Sequence, residues 1–157
     1  MPKITPFLWF DNNAEEAINF YVSIFKNSKI LNLQRLENAG PKRTETVVTA
    51  TFELDGQRFM ALQGGPLFKF NEAISMFVNC ETQEEVDYYW EKLTAGGAES
   101  QCGWLKDKFG LSWQIIPVQL GQMLGDKDPA KSQRVMGSML QMGKIDVAKL
   151  QAAYEGR

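Results

Sequence analysis

The pattern of apolar and polar positions along this chain occurs twice. In each copy, a pair of glutamates precedes apolar residues at i, i+3, i+4 and i+7, which is the spacing of one face of an amphipathic helix. The first copy runs from Glu15 to Ile24, and the second runs from Glu84 to Leu93, 69 positions further on. An apolar, strand-like run precedes each copy. The repeat predicts a duplicated strand–helix module.

The first module is predicted to have the order β-α-β-β-β. Its strands are expected at 3–10, 29–37, 44–54 and 57–63, and its helix is expected to end near Phe25. Asn12 or Asn13 is a suitable N-cap for this helix. A loop is predicted at 38–41, where Asn, Gly and Pro cluster. Asp55-Gly56 predicts a tight hairpin turn, because both residues tolerate positive φ.

The second module is predicted to have the same order with shorter strands. A link that begins at Gly64-Gly65-Pro66 and runs to about residue 71 leads into it. Its strands are expected at 72–80, near 98–103, near 105–107 and at 111–118, and its helix at 83–95. Gly96-Gly97 ends the helix as a C-cap signal.

The last forty residues predict helices. Asp128-Pro129 is typical of an N-cap followed by proline in the first turn. Val135, Met139 and Met142 form a helical apolar stripe that ends at Gly143, and a short helix is expected at 145–154 with Asp146 near its start. Such an apolar face at the end of a chain indicates that these helices dock on the sheets or on a second subunit.

The expected fold class is therefore α+β, with two βαβββ modules and C-terminal helices. We expect one domain over residues 1–157, composed of module one (1–65), module two (72–118) and a helical tail (119–157). A chain of this length can bury a substantial core.

Composition and charge narrow the classes of partner. A net charge of −2 with no basic run argues against nucleic acid, since phosphate contacts require clustered Lys and Arg. No apolar run approaches the length of about 20 residues that a membrane span needs, and no signal peptide pattern begins the chain. Two cysteines, Cys80 and Cys102, are too few for a disulfide framework. These features favour a cytoplasmic protein with free thiols.

Several longer strings carry a family resemblance that covers essentially the whole chain. They are ITPFLWFDNNAEEAINFYVSIF, LFKFNEAISMFVNC, EEVDYYWEKLTAGG, CGWLKDKFGLSWQIIP and KIDVAKLQAAY. Together with the duplicated module, they resemble the vicinal oxygen chelate (glyoxalase/bleomycin-resistance) superfamily. Within it they look like the PhnB-like branch, whose members often carry the name 3-demethylubiquinone-9 3-methyltransferase. The resemblance implies an open cup of sheets that a second subunit often closes, and hence a homodimer.

The resemblance also implies a divalent metal in that cup, held by four strand positions that are usually His or Glu. Strand alternation places these positions at or near Thr5, Gln63, Ser75 and Gln114 in this chain. None of the four is His, Asp, Glu or Cys, and the chain contains no His at all. Neutral amides and hydroxyls are poor ligands for Zn, Ni or Fe. We therefore expect no metal and no cofactor, and we assign no catalytic residue.

Other side chains on the same strand faces are candidates for binding a ligand. The cup-facing set is Thr5, Phe7, Trp9, Gln63, Ser75, Phe77, Asn79, Trp104 and Gln114. The aromatic members either line an apolar pocket or simply fill the core. The polar members either bond one another or meet a polar ligand or water, because a buried polar group needs a partner.

Two further motifs could indicate a catalytic cysteine or a cofactor-binding loop. Cys102 could act as a nucleophile only if a base or a cation lay beside it, and because the chain has no His, only Lys106 or an arginine could serve. The segment 106–110 is interpreted as a solvated turn in which Asp107 and Gly110 hold the entry to the last strand. Gly64-Gly65-Pro66 precedes aromatic residues and not a helix, which is typical of a linker and not of a cofactor-binding loop.

Three hypotheses for function follow. The preferred one is a metal-independent cup in a homodimer that binds a small apolar or aromatic molecule. The second is an enzyme of the superfamily, either a lyase, an isomerase, a dioxygenase or the methyltransferase of the family label. The third is a structural dimer or interaction module, for which the apolar tail helices are the evidence.

Overall fold

The structure is a computed structural model that describes residues 2–39 and 45–157. The chain divides into two compact units, Met1–Phe70 and Asn71–Arg157. Each unit contains one sheet of four strands, and the C-terminal helices belong to the second unit. Among the described residues, no helix has both the length and the apolar character that crossing a membrane requires.

The first unit has the predicted β-α-β-β-β order. Its elements are β1 (Phe7–Phe10), α1 (Ala14–Ile24), β2 (Lys29–Ala39), β3 (Glu45–Leu54) and β4 (Gln57–Gln63). The strands lie in the order β1-β4-β3-β2, with β1 parallel to β4 and the other pairs antiparallel. The predicted hairpin turn is confirmed, since Asp55 and Gly56 have φ of 49° and 80°.

The second unit repeats this topology. Its elements are β5 (Ser75–Cys80), α2 (Gln83–Thr94), β6 (Ala98–Glu99), β7 (Trp104–Lys106), β8 (Ser112–Pro117), α3 (Val118–Leu124), α4 (Pro129–Met139) and α5 (Val147–Tyr154). The order is β5-β8-β7-β6, again with the first pair parallel. The predicted α+β fold with two βαβββ modules is confirmed.

Several predicted boundaries were wrong, for local reasons. The strand expected at 98–103 stops at Glu99, because Cys102 and Gly103 both have positive φ and form a turn. Strand β2 continues to Ala39 through an irregular register, with Asn38 at φ 53°, so the predicted loop does not begin at Asn38. Gly40, Pro41 and the expected strand start at Thr44 lie outside the described residues.

Smaller differences affect the remaining elements. The first strand begins at Phe7 and not at residue 3, and β5 begins at Ser75 and not at residue 72. Helix α4 ends at Met139, so Met142 packs from the segment that follows the helix. Asp128 and Asp146 cap α4 and α5 by accepting hydrogen bonds from Ala130 N and Lys149 N.

The core of the first unit lies between α1 and one face of its sheet. The buried residues of α1 are Ala14, Ala17, Ile18, Tyr21 and Ile24. The sheet contributes Leu8, Phe10, Val48, Ala50, Phe52, Leu54, Phe59 and Ala61. Phe52 and Phe59 stack with ring centroids 5.4 Å apart. Arg35, which is in register with Val48, pairs with Glu15 of α1, so the Val48 face is the one that α1 covers.

In the second unit, α2 covers the sheet face that bears Leu105, Trp113 and Ile115. Glu99 shows which face this is, because it is in register with Leu105 and accepts a hydrogen bond from Trp90 Nε1 of α2 at 2.8 Å. Val86, Trp90 and Leu93 are the buried residues of α2. Thr82 caps the helix by accepting from Glu85 N.

The tail helices form a second apolar cluster that includes the end of β8. Its buried members are Ile116, Leu120, Met123, Val135, Met142, Ile145 and Leu150. Gln83, at the start of α2, bonds to the segment that enters α5, donating to Ile145 O and accepting from Val147 N. The tail therefore docks on the second unit, through Ile116 and Gln83.

Candidate functional site

Each sheet has one face that its helix covers and an opposite face, here called the open face. In the second unit the open face bears Ser75, Phe77, Asn79, Trp104 and Gln114. The register shows this, since Phe77 pairs with Gln114 and Gln114 pairs with Trp104, while the alternate residues Trp113 and Ile115 face α2. Five residues of the predicted cup-facing set therefore share one face of this sheet.

The polar residues of this face partly satisfy one another. Gln114 Nε2 donates a hydrogen bond of 2.9 Å to Ser75 Oγ. Phe77, which is in register with Gln114, leaves 52% of its surface exposed. Phe77 is therefore not a core residue, and the open face combines a hydrogen-bonded polar pair with an exposed aromatic ring.

In the first unit, Phe7 and Trp9 share the open face, because the alternate residues Leu8 and Phe10 are buried against α1. Phe7 is 53% exposed. Trp9 is held by two contacts. Its Nε1 donates a hydrogen bond to Gly65 O at 2.9 Å, and its ring packs edge-on against Phe68 with ring centroids 5.1 Å apart. Thr5 precedes β1 and is half-buried, so strand alternation does not fix its direction.

The prediction that Gln63 faces the cup was wrong. Gln63 is in register with Phe10 and Val48, both of which face α1. Its Oε1 accepts from Ala14 N at the start of α1, and its Nε2 donates to Thr46 O, each at 3.3 Å. The open face of β4 instead bears Met60 and Leu62, which pair with Phe7 and Trp9.

The four positions at which the family resemblance implies a metal do not fit one. Ser75 and Gln114 are bonded to each other, and Gln63 lies on the helix-covered face. Within residues 2–39 and 45–157, no group of three or more His, Cys, Asp or Glu side chains could hold a metal ion. Neutral oxygens without a carboxylate or imidazole are weak ligands for the transition metals.

The Gly64-Gly65 turn serves to hold Trp9. A Cβ at Gly64 would lie 2.5 Å from the Trp9 ring, so only glycine allows the indole to lie there. Gly64 N and Gly65 N donate to Phe10 O and Asp11 O, which fixes the turn against the end of β1. These contacts account for both glycines without a bound cofactor.

Each of the two units contains a cleft among its described residues. One of about 310 Å³, in the first unit, is lined by Asp11, Asn12, Thr46, Val47, Gln63, Gly64, Gly65 and Pro66. A second cleft, of about 160 Å³, lies in the second unit beside β6, β7 and the start of β8. It is lined by Glu72, Ala98, Glu99, Ser100, Trp104, Leu105, Lys106 and Ser112. Lys106 Nζ lies 2.9 Å from Glu72 Oε1, and this hydrogen bond lowers the pKa of the Glu72 carboxyl.

The positions of Lys106 and Ser112 differ from the prediction. The pattern of residues 106–110 predicts a solvated turn, but Lys106 is the last residue of β7 and is in register with Ser112. Ser112 is fully buried, and its Oγ has no hydrogen-bond partner among the described residues. Ser112 lies on the same face of β8 as Gln114, and its hydroxyl is buried beside the second cleft.

Neither cysteine has the surroundings of a nucleophile. Burial raises the pKa of the Cys80 thiol to about 12, and the Glu85 carboxylate adds to this effect, so the thiol stays protonated. Cys102 occupies the turn before β7, where its N–H donates to Met142 O at 2.7 Å. Both cysteines are free thiols.

Comparison with known proteins identifies relatives of this chain. The sequence model of the 3-demethylubiquinone-9 3-methyltransferase family matches residues 2–116. A PhnB protein from Bacillus cereus that bears the same methyltransferase name is 42% identical, with a TM-score of 0.68, over 74% of this chain and 100% of its own. No curated protein matches.

More distant structures share the fold. Protein PA1353 from Pseudomonas aeruginosa is 20% identical, with a TM-score of 0.57, over 74% of this chain and 98% of its own. The fosfomycin resistance protein FosX from Listeria monocytogenes is 16% identical, with a TM-score of 0.57, over 80% of this chain and 98% of its own. At these identities the likeness shows the fold alone, which is the glyoxalase-like, vicinal oxygen chelate fold.

Proposed function

We propose that this chain, which belongs to the 3-demethylubiquinone-9 3-methyltransferase family, is a metal-independent small-molecule-binding protein that works as a homodimer in the cytoplasm. The ligand is a small molecule with an apolar or aromatic part, bound at the open face of the sheets. The observation that carries the proposal is the open face of the second unit. There, a hydrogen-bonded Ser75–Gln114 pair lies beside exposed Phe77 and half-buried Trp104.

Exposure of large apolar residues supports a bound ligand or partner at these faces. Phe7, Met60 and Phe77 lie on open faces with between 39% and 53% of their surface exposed. Exposed apolar patches on soluble proteins typically mark binding surfaces. A homodimer fits this picture, because a second copy would cover such residues, and two unpaired thiols fit a reducing compartment.

The methyltransferase name is a competing proposal that rests on the family label. The chain's own residues give it little support, because Gly64 and Gly65 are used to hold Trp9 and the next described helix begins only at Gln83. A superfamily reaction through a divalent metal is disfavoured by the neutral, mutually bonded side chains at the implied positions.

Native mass spectrometry of the protein purified from cells tests the proposal, first under gentle and then under denaturing conditions. We expect a dimer with a retained organic mass and no stoichiometric metal. One metal ion per subunit would overturn metal independence and return the enzyme hypothesis to first place. A monomer that retains no organic molecule would overturn the whole proposal.

A pair of variants tests whether the open face or the tail is the functional surface. Phe77→Asp places a charge on the open face, and we expect it to reduce the retained organic mass by about tenfold, equivalent to 1.4 kcal/mol. Met136→Asp is the matched control on α4, where Met136 is 41% exposed, and it should retain ligand and dimer. Loss of the dimer in Met136→Asp alone would favour the structural-module hypothesis instead.

A further inference from the structure

The cleft beside Ser112 contains a buried hydroxyl with no partner. Ser112 has no exposed surface, and none of the described residues offers its Oγ a hydrogen bond. A buried hydroxyl without a partner costs free energy, so native proteins normally satisfy such groups with protein, water or a ligand. Ser112 is among the residues that line a cleft of about 160 Å³, so rotation of its side chain toward the cleft would let a ligand there supply the missing bond.

A cation lies next to this hydroxyl on the same face of the sheet. Lys106 on β7 and Ser112 on β8 are in register, so their side chains are neighbours. Lys106 is fixed by the sheet, whereas its partner Glu72 comes from the segment before β5. The Glu72 carboxylate, 62% exposed, lies 2.9 Å from Lys106 Nζ. Exposed ion pairs contribute only about 0–1 kcal/mol, so another carboxylate can replace Glu72 at little cost.

We propose that this cleft is a subsite for a small organic carboxylate, whose carboxyl group displaces Glu72 from Lys106 and accepts a hydrogen bond from Ser112 Oγ. The rest of the ligand lies against the Trp104 indole, which lines the same cleft. Hydrogen bonds to an ionised acceptor are stronger than neutral ones, which favours an acid over an alcohol here. The inference rests on the proposed function, since it names the ligand class and the subsite within the binding face.

The volume of the cleft limits the size of the acid that can bind there. Sites for drug-sized ligands occupy roughly 300–1,000 Å³. A cleft of about 160 Å³ suits a compact acid with at most one ring. Benzoate is therefore the probe, with benzyl alcohol and benzylamine as neutral and cationic molecules of similar size.

The test is titration of the ¹⁵N-labelled full chain, with the indole N–H resonance of Trp104 assigned by its loss in Trp104→Phe. We expect benzoate to shift this resonance in a saturable manner, and the other two probes to bind at least tenfold more weakly. Glu72→Gln should tighten benzoate binding by about threefold to tenfold, because it removes the internal competitor. Ser112→Ala should weaken binding by about tenfold, and Lys106→Met by at least tenfold.

Two substitutions outside the cleft serve as controls for the benzoate titration. Lys127→Met and Ser23→Ala change exposed residues remote from the cleft in sequence and should bind benzoate like the unsubstituted chain. Unchanged affinity in Ser112→Ala, or no tightening in Glu72→Gln, overturns the subsite. Preference for benzylamine or benzyl alcohol also overturns it. Lys106→Met keeps the inference testable if Ser112→Ala does not fold.

The two proposals fail separately. A neutral organic mass retained in native mass spectrometry, together with no benzoate binding, leaves the binding function and removes the carboxylate subsite. Saturable benzoate binding at Trp104 by a protein that retains no organic molecule and no partner supports the subsite alone. If the protein retains no organic molecule and also does not bind benzoate, both proposals are overturned.

Discussion

Asp107 organises the turn between the last two strands of the second unit. It is 3% exposed, and its carboxylate accepts hydrogen bonds from Phe109 N, Leu111 N and Trp113 Nε1 at 2.8, 3.1 and 2.9 Å. The three donors supply a buried carboxylate with the partners it needs. This turn sets the register of β7 against β8, and hence the position of Lys106 beside Ser112.

Replacing Asp107 with Asn should destabilise the second unit. The amide would present its own donor either to Trp113 Nε1 or to the turn N–H groups, leaving at least one buried donor unpaired. Hydrogen bonds to charged groups contribute about 1.5–3 kcal/mol, so we expect a loss of about 2–3 kcal/mol in the free energy of unfolding. Urea denaturation, monitored by tryptophan fluorescence, measures this change in the free energy of unfolding. Asp55→Asn, at the exposed hairpin turn, is the control and should change stability little.

At the scale of elements, the tail is the part of the chain that the family match does not cover. The match ends at residue 116, and α3, α4 and α5 follow. Ile116 joins the tail cluster, so these helices cover the end of β8 on the face that bears Gln114. The tail therefore reduces the extent of the open face and leaves the part around Ser75, Phe77 and Trp104.

The side chain of Gln83 is one polar link between α2 and the segment that enters α5; the ion pair of Asp87 with Lys144 is another. Gln83 donates to Ile145 O at 3.0 Å and accepts from Val147 N at 2.7 Å. Gln83→Leu removes both of these bonds, together with the hydrogen bond from Gln83 Nε2 to Asp87 Oδ1, at similar side-chain size. We expect it to weaken docking of α5 by about 1–2 kcal/mol. Amide exchange in α5 should become about 5–30 times faster, as measured by hydrogen–deuterium exchange.

The control for this change is Gln133→Leu, an exposed position of α4 in the same tail. Its α5 amides should exchange at the rate of the unsubstituted protein. Equal exchange in Gln83→Leu and Gln133→Leu would show that the hydrogen bonds of Gln83 do not contribute to the docking of α5.

At the scale of the whole molecule, the two units share a topology but differ in how they use it. In the first, Gln63 bonds to the start of α1, and the open face is mostly apolar. In the second, Ser75, Gln114, Lys106 and Ser112 make the open face polar. The chemistry of a ligand that binds at the second unit is set by these four residues.

Stability should not depend on a bound metal ion. A metal that binds the folded state at a hundred times its Kd stabilises it by about 2.7 kcal/mol, and its removal would lower Tm by several degrees. We expect exhaustive chelation to leave Tm unchanged, and added Zn²⁺, Ni²⁺ or Mn²⁺ not to raise it. A fall of several degrees, restored by one of these metals, would contradict the conclusion drawn from the donor residues. Differential scanning calorimetry makes the measurement.

The sequence by itself determined the elements and the faces of isolated strands. Period-3.6 spacing located α1 and α2, Asp55-Gly56 located the hairpin, and alternation placed Ser75 and Phe77 on one face of β5. These features are local, because they depend only on neighbouring residues along one element.

Only the tertiary structure decided which strands lie side by side and what each side chain meets. The face of Gln63 depends on the parallel register of β1 and β4, whose residues are about fifty positions apart in sequence, and a shift of one residue reverses it. The positive φ of Cys102 likewise ends the predicted strand early. The pairing of Lys106 with Glu72 and the unpartnered Ser112 hydroxyl depend on long-range packing, which no local pattern encodes.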